Sequence, residues 1–401
     1  MLHKSIFYRS YQRIIKVASK FFAWREPKVL NGEGSIKQLP ELIKKQNNES
    51  VLIITDKGII SAGLLDELLK GLDKAKIQYA IYDKTVPNPI IENIEEAVYM
   101  YHINYCDGII AFGGGSAIDC AKGAGARIAK PGQPIAKMRG LLKIGKELPP
   151  MFVVPTTAGT GAEATLAAVI SNNYTHEKYP LMDTSLIPDY AVLDPLLTVN
   201  LPAHITSTTG MDTLTHAVEA YIGKGNTKQT KQWSIQATKL VFENLYETYA
   251  NGKNNIARKQ MQKAAYLAGM AFTRAYVGYV HAIAHTLGGF YNTPHGLANA
   301  IILPHVLEYY GKSVHQPLAE LADAINISRP DDTNEQKANK FIEAIKELNN
   351  RMDIPNRVDG IIDSDIPTMV QRALEEGNPL YPVPKILFEE DIAKLFQTIK
   401  A

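Results

Sequence analysis

From Lys28 to about Asn200, short apolar runs alternate with helical stretches, and beyond Leu201 the strand signals stop. That switch constrains the fold more than any other feature of the chain. Val51-Leu52-Ile53-Ile54-Thr55-Asp56 is an apolar run closed by a carboxylate, followed by a helical 61–72. Gln78-Tyr79-Ala80-Ile81-Tyr82 precedes a helical 91–104, and Gly108-Ile109-Ile110-Ala111-Phe112 leads into a glycine turn and a further helix. Met151-Phe152-Val153-Val154 is another buried strand. Short apolar strands alternating with helices imply a parallel sheet covered on both faces. Residues 131–150, rich in Pro, Gly and Lys, read as a long connection. The second half reads as helices over 208–222, 228–250, 255–276, 280–289, 295–310, 314–326, 333–350 and 386–400. The expected organisation is an α/β domain over 28–200, an all-helical domain over 201–401, and a basic extension over 1–27.

The 401 residues are 45% hydrophobic and 21% charged, the composition of an ordinary globular protein. A net charge of +2 gives no reason to expect a nucleic-acid partner. Cys106 and Cys120 make neither a zinc spacing nor a disulfide framework, so a reducing cytoplasm fits. The most apolar stretch, 264–290, is interrupted by Arg274, His281 and His285 and reads as a buried helix, not a membrane span. In residues 1–27, Lys4, Arg9, Arg13, Lys16 and Lys20 alternate with Ile6, Phe7, Tyr8, Ile14, Ile15, Val17, Phe21 and Phe22, and the only acid is Glu26. The favoured reading is a helix whose apolar stripe packs on the body or on a second subunit. A basic amphipathic helix at a membrane surface, or an organelle presequence, is the alternative.

Two stretches carry candidate phosphate chemistry. Gly113-Gly114-Gly115-Ser116-Ala117-Ile118-Asp119 follows a strand and opens a helix, where backbone N–H groups and the helix N-terminus favour a pyrophosphate. It is not GxGxxG, and Ser116 with Asp119 equally fits a capping box. Pro155-Thr156-Thr157-Ala158-Gly159-Thr160-Gly161-Ala162-Glu163 follows the strand ending at Val154, at a carboxyl end where ligands bind in open α/β sheets. A threonine-capped polar turn is its plain structural reading. Asp56 ends a strand where a carboxylate accepts ribose hydroxyls and repels a 2′-phosphate, which favours NAD over NADP.

A third cluster is rich in histidine. Four of the ten histidines, His281, His285, His295 and His305, fall within 25 residues. His281 and His285 share a helical face, and so do Asp212 and His216. Imidazole with carboxylate suits a borderline divalent metal such as Fe²⁺ or Zn²⁺. The structural alternatives are hydrogen-bonded core histidines and, for Asp212, a first-turn carboxylate facing the helix dipole. The phosphate candidates lie in the first half and the metal candidates in the second, so a cleft between the domains would unite them.

Taken together, GGGSAIDCAK, PTTAGTGAE, TTGMDTLTHAVEAY and VHAIAHTLGGFYNTPHGLANA followed by Ile301-Ile302-Leu303-Pro304-His305 resemble the iron-containing, group III alcohol dehydrogenases. The resemblance runs from Lys28 to Pro304, in order and spacing. It implies a Rossmann-like α/β N-terminal domain with an all-α C-terminal domain, the dehydroquinate synthase-like architecture. It implies metal ligands at Asp212, His216, His281 and His295, with His285 beside them as the catalytic proton relay. It implies nicotinamide contacts from Asp56, Gly113, Gly114, Gly115, Ser116, Asp119, Thr156, Thr157, Thr160 and Lys178. NAD with Fe²⁺ are the expected cofactors, NADP and Zn²⁺ their alternatives, and a homodimer acting on a small alcohol or aldehyde is the expected form. Where relatives read GTGSE this chain has Gly161-Ala162-Glu163, which removes one serine hydroxyl. Rival readings are a polyol dehydrogenase or metal-dependent cyclase of the same superfold, and a non-catalytic nucleotide-binding scaffold. The Asp-His-His-His set argues against all three.

The substrate is thinly encoded. Arg274 precedes His281 by seven residues, so an unbroken helix would align the two and let a guanidinium hold the far carboxylate of a short aldehyde. Gly278 is the residue at which that helix would break, and a structural acid is the other partner such an arginine takes.

Overall fold

A computed structural model describes residues 2–172 and 177–401. The chain divides into two compact units, residues 23–201 and residues 1–22 with 202–401.

The first unit is built on a six-stranded sheet. Its strands are β1 (Lys28–Asn31), β2 (Ser50–Ile54), β3 (Gln78–Tyr82), β4 (Gly108–Gly113), β6 (Met151–Pro155) and β9 (Tyr190–Leu193), in the order β1-β9-β6-β4-β2-β3. Every pairing is parallel, as the continuous Val/Ile runs require. β2, β4 and β6 are buried almost throughout because helices cover both faces. Those helices are α2 (Leu39–Lys45), α3 (Lys57–Ser61), α4 (Asp66–Ala75), α5 (Ile91–Ile103) and α6 (Gly115–Ala129). One core layer gathers Leu52, Ile54, Ile109, Ala111, Ile118 and Val153, and the other gathers Val51, Ile53, Ile110, Phe112 and Phe152. β3 lies on one side of β2 and β4 on the other, so the order reverses between β2 and β4. That reversal opens a ligand crevice at the carboxyl ends of both strands.

Some elements depart from the sequence reading. The helix expected over 61–72 is two, α3 and α4, separated by a turn at Gly63. A second sheet of β5 (Gly140–Leu141), β7 (Ala167–Asn172) and β8 (Glu177–Met182) was not foreseen, and β5 lies inside the expected 131–150 connection. The Ser116–Asp119 capping box does not form. α6 starts from Gly114, and Ser116 Oγ instead accepts from the Asn88 amide at 3.3 Å.

The second unit is helical: α1 (Leu2–Ala18), α7 (Ala203–Ile222), α8 (Lys228–Ala250), α9 (Asn255–Ala275), α10 (Tyr279–Tyr291), α11 (His295–Tyr310), α12 (His315–Ala324), α13 (Asn334–Arg351), α14 (Ile366–Gly377) and α15 (Glu389–Ile399). No helix of the described residues is long and apolar enough to cross a membrane. α14 was missed. α7 starts five residues earlier than expected, so Asp212 sits in mid-helix and its first-turn reading falls. The stretch 264–290 is not one helix. Tyr276 adopts φ +65 and the chain breaks before Tyr279, so the two-turn alignment of Arg274 with His281 does not exist. The Arg274 guanidinium stands 4.9 Å from the centre of the Trp233 ring instead.

α1 also departs from expectation. It docks through polar groups: Arg9 donates to the carbonyls of Val383 and Pro384, and Gln12 donates to that of Tyr381 at 2.8 Å. Lys16 donates to the Lys224 carbonyl. Ile6, Phe7, Ile14, Val17 and Phe21 face outward while Tyr8, Ile15 and Phe22 are half-buried, so only part of the apolar set packs on this chain.

Candidate metal centre

Three helices of the second unit converge on one point. Asp212 and His216 sit one turn apart on α7, His281 lies on the first turn of α10, and His295 begins α11. Each offers a ligand atom, and the four atoms lie within 4.8 Å of one another. Asp212 Oδ1 is 3.9 Å from His216 Nδ1, 3.8 Å from His281 Nε2 and 3.6 Å from His295 Nε2. Bonds of about 2.1 Å to one ion set neighbouring ligands about 3.4 Å apart in a tetrahedron, so the residues fit a divalent cation. Asp212, His216 and His281 are buried, and His295 is the partly exposed member.

The donor geometry makes the same point. Asn299 Nδ2 donates to Asp212 Oδ1 at 2.7 Å and stands 3.2 Å from both His281 Nε2 and His295 Nε2. One amide nitrogen thus lies against Asp212, His281 and His295, three of the four candidate ligands.

Glu219 explains why α10 starts where it does. Its carboxylate accepts from Gly278 N and Val280 N at 2.9 Å each, satisfying amides left open at the helix start. A β-carbon at residue 278 would stand 2.7 Å from Glu219 Oε1, so only glycine lets the carboxylate in. Glu219 Oε2 also meets His281 Nδ1 at 2.6 Å. A carboxylate only accepts, so Nδ1 carries the proton and Nε2 keeps its lone pair for the cluster. His295 is delivered by a close approach of α11 to α7, where a β-carbon at Gly296 would collide with the Thr208 carbonyl.

His285 lies one turn beyond His281. Its ring stacks on His295 at 5.0 Å, and its Nδ1 meets Glu376 Oε1 at 2.7 Å. Tyr381 donates its hydroxyl to the same oxygen at 2.8 Å. His305 is apart from this group, against the Asn356 carbonyl.

Sequence reading missed Glu219, Asn299 and Glu376. The first two had a signal: Asp212, His216 and Glu219 follow i, i+4, i+7, and Asn299 follows His295 by one turn. Glu376 had none, because α14 reaches His285 only through the tertiary fold.

In the α/β unit the phosphate candidates gather at the strand ends flanking the reversal. Asp56 caps α3, accepting from Ile59 N through Oδ1 at 3.0 Å, while a β-carbon at Gly113 would lie 3.6 Å from its Oδ2. Thr156 N donates to the Gly113 carbonyl at 2.9 Å. A β-carbon at Gly115 would stand 2.5 Å from Thr160 Cγ2, and one at Gly114 would stand 3.4 Å from Thr157 Cγ2. The glycine turn and the threonine loop thus form one surface. Lys178 on β8 donates to Asn88 Oδ1 at 2.8 Å, and the Asn88 amide bonds Ser116, so Asn88 links two of the candidates. Asp119 accepts from the Val169 amide and faces Lys122 and Lys178.

Beneath the loop, Lys122 is fully buried and donates to the carbonyls of Ala162, Thr165 and Ala167 at 2.6–3.0 Å. Burial pushes the Glu163 carboxyl up to about 7 against backbone amide and Lys122 contributions. A raised folded-state value contributes stability that is present below the ordinary range and lost as pH rises through about 7. Glu163→Gln should therefore gain on wild type in melting temperature from pH 5 to 7 and level off above. A difference independent of pH across that window counts against this assignment.

The comparisons fall on both units. The model described as iron-containing alcohol dehydrogenase matches residues 26–195, and that of the Fe-containing alcohol dehydrogenase family, C-terminal, matches residues 206–400. The chain is 37% identical over 370 residues to a 1,3-propanediol dehydrogenase of Klebsiella pneumoniae, covering 91% of this chain and 95% of that protein. It is 34% identical over 373 residues to an NAD-dependent methanol dehydrogenase of Bacillus methanolicus, covering 92% and 97%. Among solved structures, an alcohol dehydrogenase from Oenococcus oeni matches with a TM-score of 0.90 at 37% identity, over 94% of this chain and all of that one.

Proposed function

The chain belongs to the iron-containing alcohol dehydrogenase family, and from that premise we propose that Asp212, His216, His281 and His295 hold one Fe²⁺ while the glycine turn and threonine loop hold NAD. The enzyme is an oxidoreductase, and its proposed reaction exchanges hydride between NAD(H) and a small primary alcohol or aldehyde. The observation that carries the reading is the four-atom cluster within 4.8 Å. When bound, the ion supplies Lewis-acid polarisation of the substrate oxygen and the dinucleotide gives or takes the hydride. The chain's own residues do the rest. Glu219 fixes the tautomer of His281, and Asn299 orients Asp212. His285, backed by Glu376, takes the hydroxyl proton in oxidation and returns it in reduction. A mixed N/O donor set admits Zn²⁺ as well. A neutral substrate is preferred to an ω-carboxyl aldehyde, since the helix break removes the alignment that would have aimed Arg274 along the wall of His281.

A homodimer completes the proposal, and two buried, free cysteines support a reducing cytoplasm. The test is metal analysis of the purified protein with an NADH-coupled screen of short aldehydes and alcohols. One divalent ion per chain and turnover of a short aldehyde are expected. Absence of turnover across the screen would return the nucleotide-binding scaffold.

Asp56 supplies the cofactor test. With Oδ1 committed to the cap of α3, Oδ2 remains beside the glycine turn to meet a ribose hydroxyl and to repel a 2′-phosphate. NADH should be preferred, and Asp56→Ser, which keeps a capping oxygen, should shrink the NADH over NADPH ratio roughly tenfold or more. A wild-type preference for NADPH would sink the assignment.

A further inference from the structure

We propose that α1 is a membrane-surface element that seats the enzyme on anionic lipid. The helix has two opposed faces. Arg9, Gln12 and Lys16, spaced three and four apart, turn inward to the carbonyls of Val383, Pro384, Tyr381 and Lys224. The opposite face carries Phe7 and Ile14, two turns apart, with Phe21 in the turn that follows, and Ile6 and Val17, three turns apart. Their exposures run from 57% for Ile6 to 84% for Phe21. A coherent apolar stripe on an otherwise folded surface marks an interaction site.

Charge decides the occupant. Lys4 borders the stripe on one side, Arg13 and Lys20 border it on the other, and the sequence has no acid before Glu26. A second copy pairing through this face would bring the two sets of cations together. An anionic bilayer instead takes the apolar side chains into its interface and the cations among its headgroups. Polar docking on the inner face holds the stripe outward without spending it on the fold. The segment also stands outside the family match, which begins at residue 26.

The test is sedimentation of the full-length protein with vesicles of phosphatidylcholine alone or mixed with an equal part of phosphatidylglycerol. Partition roughly tenfold stronger to the anionic vesicles is expected, weakened at ~0.5 M salt. Combined Phe7→Asp, Ile14→Asp and Phe21→Asp should abolish it, and so should combined Lys4→Glu, Arg13→Glu and Lys20→Glu, with melting temperature and aldehyde turnover unchanged. Equal partition to both vesicle types, or binding by either triple variant at the wild-type level, would overturn the proposal. Loss of an oligomer in the apolar variant, seen by light scattering without vesicle binding by the wild type, would assign the face to a second copy.

Discussion

Asp212→Ala is expected to leave purified enzyme with little bound divalent metal and to lower kcat/KM by roughly 10³-fold or more, about 4 kcal/mol of barrier. The carboxylate is the only anionic member of the four-residue candidate cluster, and it stands between 3.6 and 3.9 Å from all three imidazoles. Removing it takes away a proposed ligand and the charge that would balance a cation. His281→Ala should behave alike. Two contrasts separate ligation from support. Glu219→Gln keeps the size of the side chain but withdraws the carboxylate from His281 Nδ1, so metal affinity should fall about 10–100-fold while a metal-saturated sample recovers much of its rate. His285→Ala should keep metal at full stoichiometry and lose rate, about 10²-fold or more, because His285 meets Glu376 and not Asp212. Metal content by elemental analysis, with circular dichroism to confirm the fold and kinetics for rate, reads all four variants. Full metal in Asp212→Ala would remove that residue from the ligand set.

The convergence of Asp212, His216, His281 and His295 was legible because helical spacing is a local rule. Asp212 with His216, and His281 with His285, are fixed by a 3.6-residue repeat whatever the tertiary fold does. The parallel sheet was legible for the same reason, since buried strands such as Val51–Ile54 and Ile109–Phe112 are apolar on both faces. What escaped depends on contacts between distant segments. The break at Tyr276 is made worthwhile by Glu219, 57 residues earlier, reaching the amides of Gly278 and Val280. The helix limits 255–276 and 280–289, with Gly278 between them, did mark the break in the sequence; its distant partner Glu219 is what escaped. The outward stripe of α1 escaped likewise: amphipathicity says that one face differs from the other, and only the docking of Arg9 and Gln12 says which one turns inward. Lys122 looked like one more lysine on a helix.

Lys122→Met is the second large effect. The ammonium lies in a fully buried position and donates to two carbonyls of the segment joining β6 to β7 and to that of Ala167 at the start of β7, with a further bond to Thr165 Oγ1 at 3.0 Å. Burial lowers its proton affinity, while Asp119 and Glu163 hold the charge in place. Methionine fills the stem's volume but leaves those carbonyls without a donor and two acids without their cation. Removing one partner of such a network costs about 3–5 kcal/mol, and in a unit of this size that lowers the melting temperature by roughly 6–20 °C. The loss is local to the loop that carries Thr156, Thr157 and Thr160, so it also has a ligand signature. The KM for NADH should rise, and the rise in melting temperature that NADH confers on the wild type should shrink. Metal content should stay at the wild-type level, because all four candidate ligands belong to the helical unit. A melting temperature within about 2 °C of wild type, a change expected for about 1 kcal/mol or less, would show that the buried ammonium does not hold the loop.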